Sequence, residues 1–200
     1  MAETNTEQEK DAAGAEVPAQ ASEPATAKKP SKPRKPSRAK VVEAAGQSYF
    51  DAISARDPDA MAAHFHPDGI EDIVPLGVFR GPAEVRKLFT ELFAAIPDAE
   101  MQVKRIVADQ KVAAVEYRLT GTFTGGPFQG IDPTGKRVDI RGFDCLEIDE
   151  DGKITRNTGY YDGAAFARAI GMLPPQDSGA EKAMTAAFNG VTKLRAKIGR

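Results

Sequence analysis

Residues 137–148, RVDIRGFDCLEI, give the clearest indication of the fold in this chain of 200 residues. Their side chains alternate strictly, which is typical of a β-strand with one apolar face. Asp144 falls on that apolar face, where a carboxyl must be paired, hydrogen-bonded or held neutral. A neutral carboxyl can donate a proton in acid–base chemistry, whereas a buried structural aspartate would only tie down a neighbouring loop. The residue alone leaves both interpretations open.

Elements on both sides of this strand predict an α+β fold in which helices pack on one side of a curved sheet. The turn Asp149-Glu150-Asp151-Gly152 predicts a hairpin, and Gly81-Pro82 and Pro97-Asp98 bound the clearest helical periodicity. The predicted helices are 42–53, 58–65, 81–96 and 163–170, and the other predicted strands are 70–74, 101–107, 112–123 and 154–161.

Composition excludes several classes of protein. The formal net charge of −2 implies no overall attraction to nucleic acid or acidic surfaces. The single cysteine, Cys145, excludes an internal disulfide framework and fits a reducing cytoplasm. The start, MAETNTEQEKD, shows no secretory signal, and no apolar run has transmembrane length. We therefore expect a cytoplasmic protein.

Both ends of the chain differ in composition from residues 40–175, which we expect to form the folded domain. Residues 1–39 predict a disordered Pro- and Lys-rich tail, whose basic block AKKPSKPRKPSRAK could contact nucleic acid or an anionic membrane. A solubilising role is the favoured interpretation. Residues 176–200 predict a basic amphipathic helix that could lie on a membrane or dock on a partner. Docking on its own domain or on a dimer mate is favoured.

Several longer segments resemble two enzyme families of the nuclear transport factor 2-like superfamily. The segments FRGPAEVRKLF and LTGTFTGGPFQGIDPTGKRVDIRGFDCLEIDEDGKITRNTGYYD resemble the SnoaL-like polyketide cyclases. SYFDAISARDPDAMAAHF, GIEDIVPLG and FDCLEIDEDGKI resemble ketosteroid isomerase. The resemblance covers about residues 42–175. It implies a cone-shaped fold, with three helices on the concave side of a curved antiparallel sheet, and a homodimer formed through the outer face of that sheet.

The resemblance to the isomerase implies roles for three residues. Tyr49 and a protonated Asp144 match the groups that hold an enolate oxygen, and Asp72 matches the residue that shuttles the proton. The Asp72 match needs a one-residue deletion, so Glu71 is its alternative. The cyclases use one acidic residue as the acid–base group, and Asp144 or Asp162 could fill that role. An N-cap explains Asp162 better, because it directly precedes a short helix.

These expectations combine into a cofactor-independent isomerase or aldol cyclase that acts on a hydrophobic carbonyl compound of steroid or polyketide type. We expect no metal site, because His64 and His66 diverge at a helix end and lack a third ligand. The alternative function is a non-catalytic small-molecule binder or dimerisation module tethered by its basic tails. The glycine-rich loop 125–135 is predicted to be a lid. The residues expected to line the substrate pocket are His66, Phe89, Phe128, Tyr161 and Asp162.

Overall fold

A computed structural model describes residues 36–198 of the chain. Within this range, the chain forms five helices and a single six-stranded sheet. The helices are α1 (Arg38–Ser54), α2 (Pro58–Ala63), α3 (Gly81–Ala95), α4 (Gly163–Ala169) and α5 (Gly179–Ile198). The strands are β1 (Phe65–Ile73), β2 (Gly77–Arg80), β3 (Glu100–Ala108), β4 (Val112–Thr122), β5 (Arg137–Ile148) and β6 (Ile154–Tyr161). The predicted tail at residues 1–39 lies outside the described residues except for its last four positions.

The sheet has the strand order β2-β1-β6-β5-β4-β3. Strands β3 to β6 form an antiparallel meander, as the alternating pattern predicts, and β5 and β6 have the predicted bounds. Strand β1 joins this meander by pairing parallel to β6, so that Glu71 lies opposite Asn157. The expected α+β class, with helices on a curved sheet, is confirmed.

The helices cover the sheet with apolar side chains at helical spacing. Helix α1 packs on β3 and β4, whereas α3 packs on α2, β1 and β2. The start of α2 follows from its sequence, because the Asp57 carboxylate accepts a hydrogen bond from the Ala60 amide at 2.9 Å and Pro58 occupies the first turn. Val42, Phe50 and Val85 are among the fully buried side chains of the resulting core.

Two local elements differ from the sequence prediction. Helix α2 ends at Ala63 rather than at Phe65, because Phe65 begins β1 and pairs with Ile154 of β6. Strand β2 was not predicted; its four residues pair antiparallel with the end of β1. Because β2 covers the outer edge of β1, Glu71 lies in the interior of the sheet. The strand expected at 70–74 is also longer than predicted, since β1 begins at Phe65, which pairs with β6.

Candidate active site

An apolar cavity with one polar end lies between the sheet and the helices. It has a volume of about 70 Å³. Its lining includes the acidic residues Glu71 and Asp144 and the phenol of Tyr117, but no basic side chain within the described part of the chain. The other lining residues are apolar or aromatic: Ile53, Ile73, Leu76, Leu88, Phe89, Leu92, Met101, Leu119, Phe128, Ile140, Tyr161 and Phe166.

At the polar end, one amide bridges two buried carboxyl groups. Nδ2 of Asn157 donates to Oδ2 of Asp144 at 2.8 Å and to Oε1 of Glu71 at 3.0 Å. The Tyr49 hydroxyl donates to Oε2 of Glu71 at 3.2 Å. Glu71, Asp144 and Asn157 are all buried, and Oδ1 of Asn157 has no partner among the described residues. These contacts hold two acidic groups side by side, away from bulk water.

Burial of this pair changes the proton affinity of both carboxyls. Burial raises the pKa of Glu71 well above its usual range, and the neighbouring charge of Asp144 raises it further. Burial also raises the pKa of Asp144, to about 6, although hydrogen bonds from Asn157 and Tyr117 act in the opposite direction. Two like charges this close disfavour joint ionisation, so the site favours a state in which one carboxyl of the pair is protonated.

Two glycines make room for the polar groups. A Cβ at Gly142 would collide with the ring of Tyr117, so the phenol can lie across β5 only because that position has no side chain. A Cβ at Gly159 would lie 2.8 Å from Oδ1 of Asp144, which faces Gly159 across the β5–β6 ladder. The backbone at both positions therefore admits a functional side chain from the neighbouring strand.

Four of the residues expected at the site line the cavity. Asp144 lies at its polar end, and Phe89, Phe128 and Tyr161 contribute to its aromatic wall. Tyr49 is fully buried behind Glu71 and does not line the cavity. The structure therefore places the Tyr49 hydroxyl next to a carboxyl, in a position to orient it rather than to contact a ligand.

Asp72 does not join this group, and Glu71 takes the position expected for it. The side chain of Asp72 is directed away from the cavity and forms an ion pair with Arg156 at 2.9 Å. The reason is the register of β1, in which Glu71 and Ile73 share the inner face and Asp72 lies on the other face. The alternative assignment to Glu71 therefore fits the geometry, whereas the expectation for Asp72 does not.

His66 and Asp162 also lie outside the cavity lining. Nδ1 of His66 accepts a hydrogen bond from the Asp68 amide at 3.2 Å, in the irregular part of β1. The Asp162 carboxylate accepts from the Ala165 amide at 2.9 Å and caps α4, in agreement with the N-cap interpretation. Neither side chain is placed to meet a ligand in the cavity.

Sequence reasoning missed two polar residues of the site, Tyr117 and Asn157. Tyr117 alternates with Val115 and Leu119 on the inner face of β4 and looks like an ordinary core aromatic. The available signal was Gly142 inside an apolar strand row, since a glycine there often marks a close approach. Asn157 gave no comparable signal, because its partner Glu71 is brought to it by the long-range β1–β6 pairing.

Comparisons with known proteins agree with this architecture. The profile of the SnoaL-like domain family matches residues 47–157. A steroid Δ-isomerase from Nocardioides simplex is 32% identical over 115 residues, covering 57% of this chain and 84% of that protein. The chain therefore belongs to the SnoaL-like domain family, within the nuclear transport factor 2-like superfamily. The relationship to a named isomerase indicates that it is an enzyme.

Two similar solved structures share less than 25% of their sequence with this chain, so they support the fold alone. A protein described as a SnoaL-like polyketide cyclase from Jannaschia sp. CCS1 superposes with a TM-score of 0.62 at 22% identity, covering 72% of this chain and all of that one. An epoxide hydrolase of the LEH-like type from M. tuberculosis gives a TM-score of 0.54 at 20% identity, covering 67% of this chain and 92% of that one.

Proposed function

We propose that this protein is a cofactor-independent acid–base enzyme that removes a proton next to the carbonyl group of a hydrophobic substrate. The observation that carries the proposal is the Glu71–Asp144 pair, buried at the polar end of an apolar cavity and bridged by Asn157. A site with one ionised and one neutral carboxyl supplies both a base and a proton donor. Such a combination suits enolisation of a carbonyl compound.

The hydrogen bonds favour Asp144 as the ionised member of the pair. It accepts the shorter bond from Asn157 and lies beside the Tyr117 hydroxyl, and both donors stabilise its charged form. Glu71 accepts longer bonds and has its pKa raised well above its usual range, mainly by burial. In the proposed mechanism Asp144 is the base, whereas neutral Glu71 donates a hydrogen bond to the substrate oxygen. This reverses the protonation state that the resemblance to the isomerase implies for Asp144.

The reaction then needs only groups that the chain provides. Asp144 takes the proton from the α-carbon, and the electron pair of that C–H bond moves onto the carbonyl oxygen as an enolate stabilised by Glu71. Returning the proton to a different carbon isomerises a double bond. Attack of the enolate on a second carbonyl of the same molecule closes a ring. Both outcomes share the first step, and both fit the steroid- or polyketide-type substrates named for relatives.

The cavity also limits the class of substrate. Its lining is apolar apart from Glu71, Asp144 and the tyrosine hydroxyls, and it offers no cation to a carboxylate or phosphate. A neutral ketone therefore fits better than an anionic metabolite. Sites that bury drug-sized ligands have volumes of ~300–1,000 Å³. A polycyclic substrate would thus require part of the wall, such as the segment that carries Phe128, to move outward.

An isomerisation assay tests the proposal. Wild-type protein and Asp144→Asn are incubated with β,γ-unsaturated ketones of steroid and monocyclic type, and the conjugated product is followed by its ultraviolet absorbance. We expect turnover by the wild type and a loss of about 10²–10⁴-fold in Asp144→Asn, the range for a general base. Binding of these ketones by the wild type without turnover or α-proton exchange would contradict an enzyme of this class and support the non-catalytic binder.

A further inference from the structure

Helix α5 extends the domain without packing on it. No residue of α5 is buried, and α5 packs against no other described helix or strand. Its amino-terminal end is joined to α4 by an ion pair of 2.9 Å between Arg168 and Glu181. The expectation that this helix docks on its own domain is therefore wrong for residues 179–198. Something outside the domain must cover its apolar side if that side is to be buried.

The apolar side of α5 is a continuous row of large side chains. At 3.6 residues per turn, the row occupies roughly 120° of the helix circumference. Phe188 is 70% exposed and Ile198 is 75% exposed, whereas such residues are usually buried in a domain core. The row, called here the α5 apolar face, consists of Met184, Phe188, Val191, Leu194 and Ile198.

The opposite side of α5 is basic. Lys182, Lys193 and Lys197 lie on it, and Arg195 lies at the apolar face, from which its long side chain can reach the surrounding solvent. The acidic residue of the helix, Glu181, is already paired with Arg168. Residues 36–178, by contrast, contain more acidic than basic side chains. Among residues 36–198, positive charge is thus concentrated on a helix that also exposes an apolar face.

We infer that α5 lies on the surface of an anionic lipid membrane. A membrane surface satisfies both sides of the helix, because the acyl boundary takes up the apolar face and anionic headgroups attract the lysines. A nucleic acid would leave Phe188 and Ile198 uncovered. Pairing with α5 of a second copy would bring two helices of like charge together and place Arg195 in the seam. No described helix is long and apolar enough to cross a membrane, so α5 rests on the surface.

Vesicle flotation with the full chain tests this inference. The protein is mixed with vesicles of phosphatidylcholine alone or of phosphatidylcholine with phosphatidylglycerol, and the floated fraction is measured. We expect binding to the anionic vesicles only, weakened by salt. The charge variant Lys193→Gln/Lys197→Gln should bind about 30-fold more weakly, since each lysine contributes about fivefold at an anionic surface. The apolar variant Phe188→Ser should lose about tenfold or more.

Matched controls separate α5 from other sources of binding. Asn189→Ser on the polar side should leave binding unchanged, and Lys28→Gln/Lys29→Gln removes the same charge from the amino-terminal block. A loss from Lys28→Gln/Lys29→Gln as large as from the α5 lysines would overturn the inference, as would absent binding to anionic vesicles. If the protein does not bind vesicles and the Phe188→Ser variant is a monomer whereas the wild type is a dimer, a second copy covers the helix.

Discussion

Asp144 and Glu71 share one network of hydrogen bonds, but their chemical roles are expected to differ. A glutamine can still donate a hydrogen bond where a neutral glutamic acid does, whereas an asparagine cannot act as a base. We therefore predict that Asp144→Asn lowers kcat by about 10²–10⁴-fold, and that Glu71→Gln lowers it by about tenfold because one donor is retained. Steady-state kinetics with the best ketone substrate measure both effects.

Asp72→Asn is the matched control for these variants. It removes a neighbouring carboxylate on the same strand, but one that faces Arg156 rather than the cavity. Its kcat should stay within about twofold of the wild type, because this half-buried ion pair lies on the face of the sheet that does not line the cavity. A larger loss in Asp72→Asn than in Asp144→Asn would show that Asp72 is the base, as the resemblance to the isomerase implies.

The two tyrosines of the network should differ in their effect on the pH profile. The Tyr117 hydroxyl lies beside Asp144 and lowers the pKa of that carboxyl, whereas Tyr49 donates to Glu71. Tyr117→Phe should therefore raise the pKa of the base and shift the acidic limb of the kcat profile to higher pH. Tyr49→Phe should leave that limb in place. An unchanged acidic limb in Tyr117→Phe, or an equal shift in both variants, would show that Tyr117 does not tune the base.

At the scale of elements, the β4–β5 loop forms one wall of the cavity and is anchored on the end of α3. The Gly125 and Gly126 amides donate to the Ala95 and Ala94 carbonyls, each at 3.0 Å. A Cβ on Gly125 would collide with the Ala94 carbonyl oxygen, whereas a Cβ on Gly126 would meet open space. The two neighbouring glycines thus form a matched pair for testing whether this loop holds Phe128 against the ligand.

We predict that Gly125→Ala displaces the loop and raises KM about tenfold, the effect of losing much of one buried aromatic contact. The value of kcat should change much less, because Asp144 and Glu71 lie on other strands. Gly126→Ala should leave both constants unchanged. Equal kinetics for the two variants would mean that the loop is not part of the binding wall.

Most elements of the sheet could be predicted from sequence, and β5 shows why. Its twelve residues alternate without interruption, and a tight turn joins it to β6, so strand bounds and the inward direction of Asp144 follow locally. Strand β1 is different, because Ile70 and Ile73 are both apolar and three residues apart. Either Glu71 or Asp72 could then face inward, and only the pairing with β6 selects Glu71.

The partner of Glu71 was harder still to predict. Counting by twos from the buried Ile154 would place Arg156 on the inner face of β6 and Asn157 outside. The structure has an irregularity in the β5–β6 register between Glu147 and Ile148, and Asn157 is fully buried. A bulge of this kind reverses the inward face of a strand, and periodicity alone does not locate it. The bridge between the carboxyls therefore depends on two features that are not local.

At the scale of the whole molecule, the buried carboxyl pair should lower stability as the pH rises. An acid whose pKa is raised by folding contributes stability below its unfolded pKa, and that contribution is lost as the pH rises through its folded pKa. For Asp144 the window runs from 3.8 to about 6. The Asp144→Asn variant has no such charge to bury.

We therefore predict that the free energy of unfolding of Asp144→Asn rises relative to the wild type between about pH 4 and pH 7, by on the order of 3 kcal/mol. Urea unfolding at several pH values in this range measures the difference. A difference that is constant with pH, or that shrinks as the pH rises, would mean that Asp144 is not held in a charge-disfavouring site.

The most direct measurement of the central claim is the exchange of α-protons of a bound ketone with deuterium from solvent, followed by ¹H NMR. Exchange reports the step shared by isomerisation and ring closure, so it does not require knowledge of the natural product. We predict rapid exchange with the wild type and a rate lower by about 100-fold or more with Asp144→Asn. Equal exchange rates in the two proteins, with the ketone bound in both, would contradict the account.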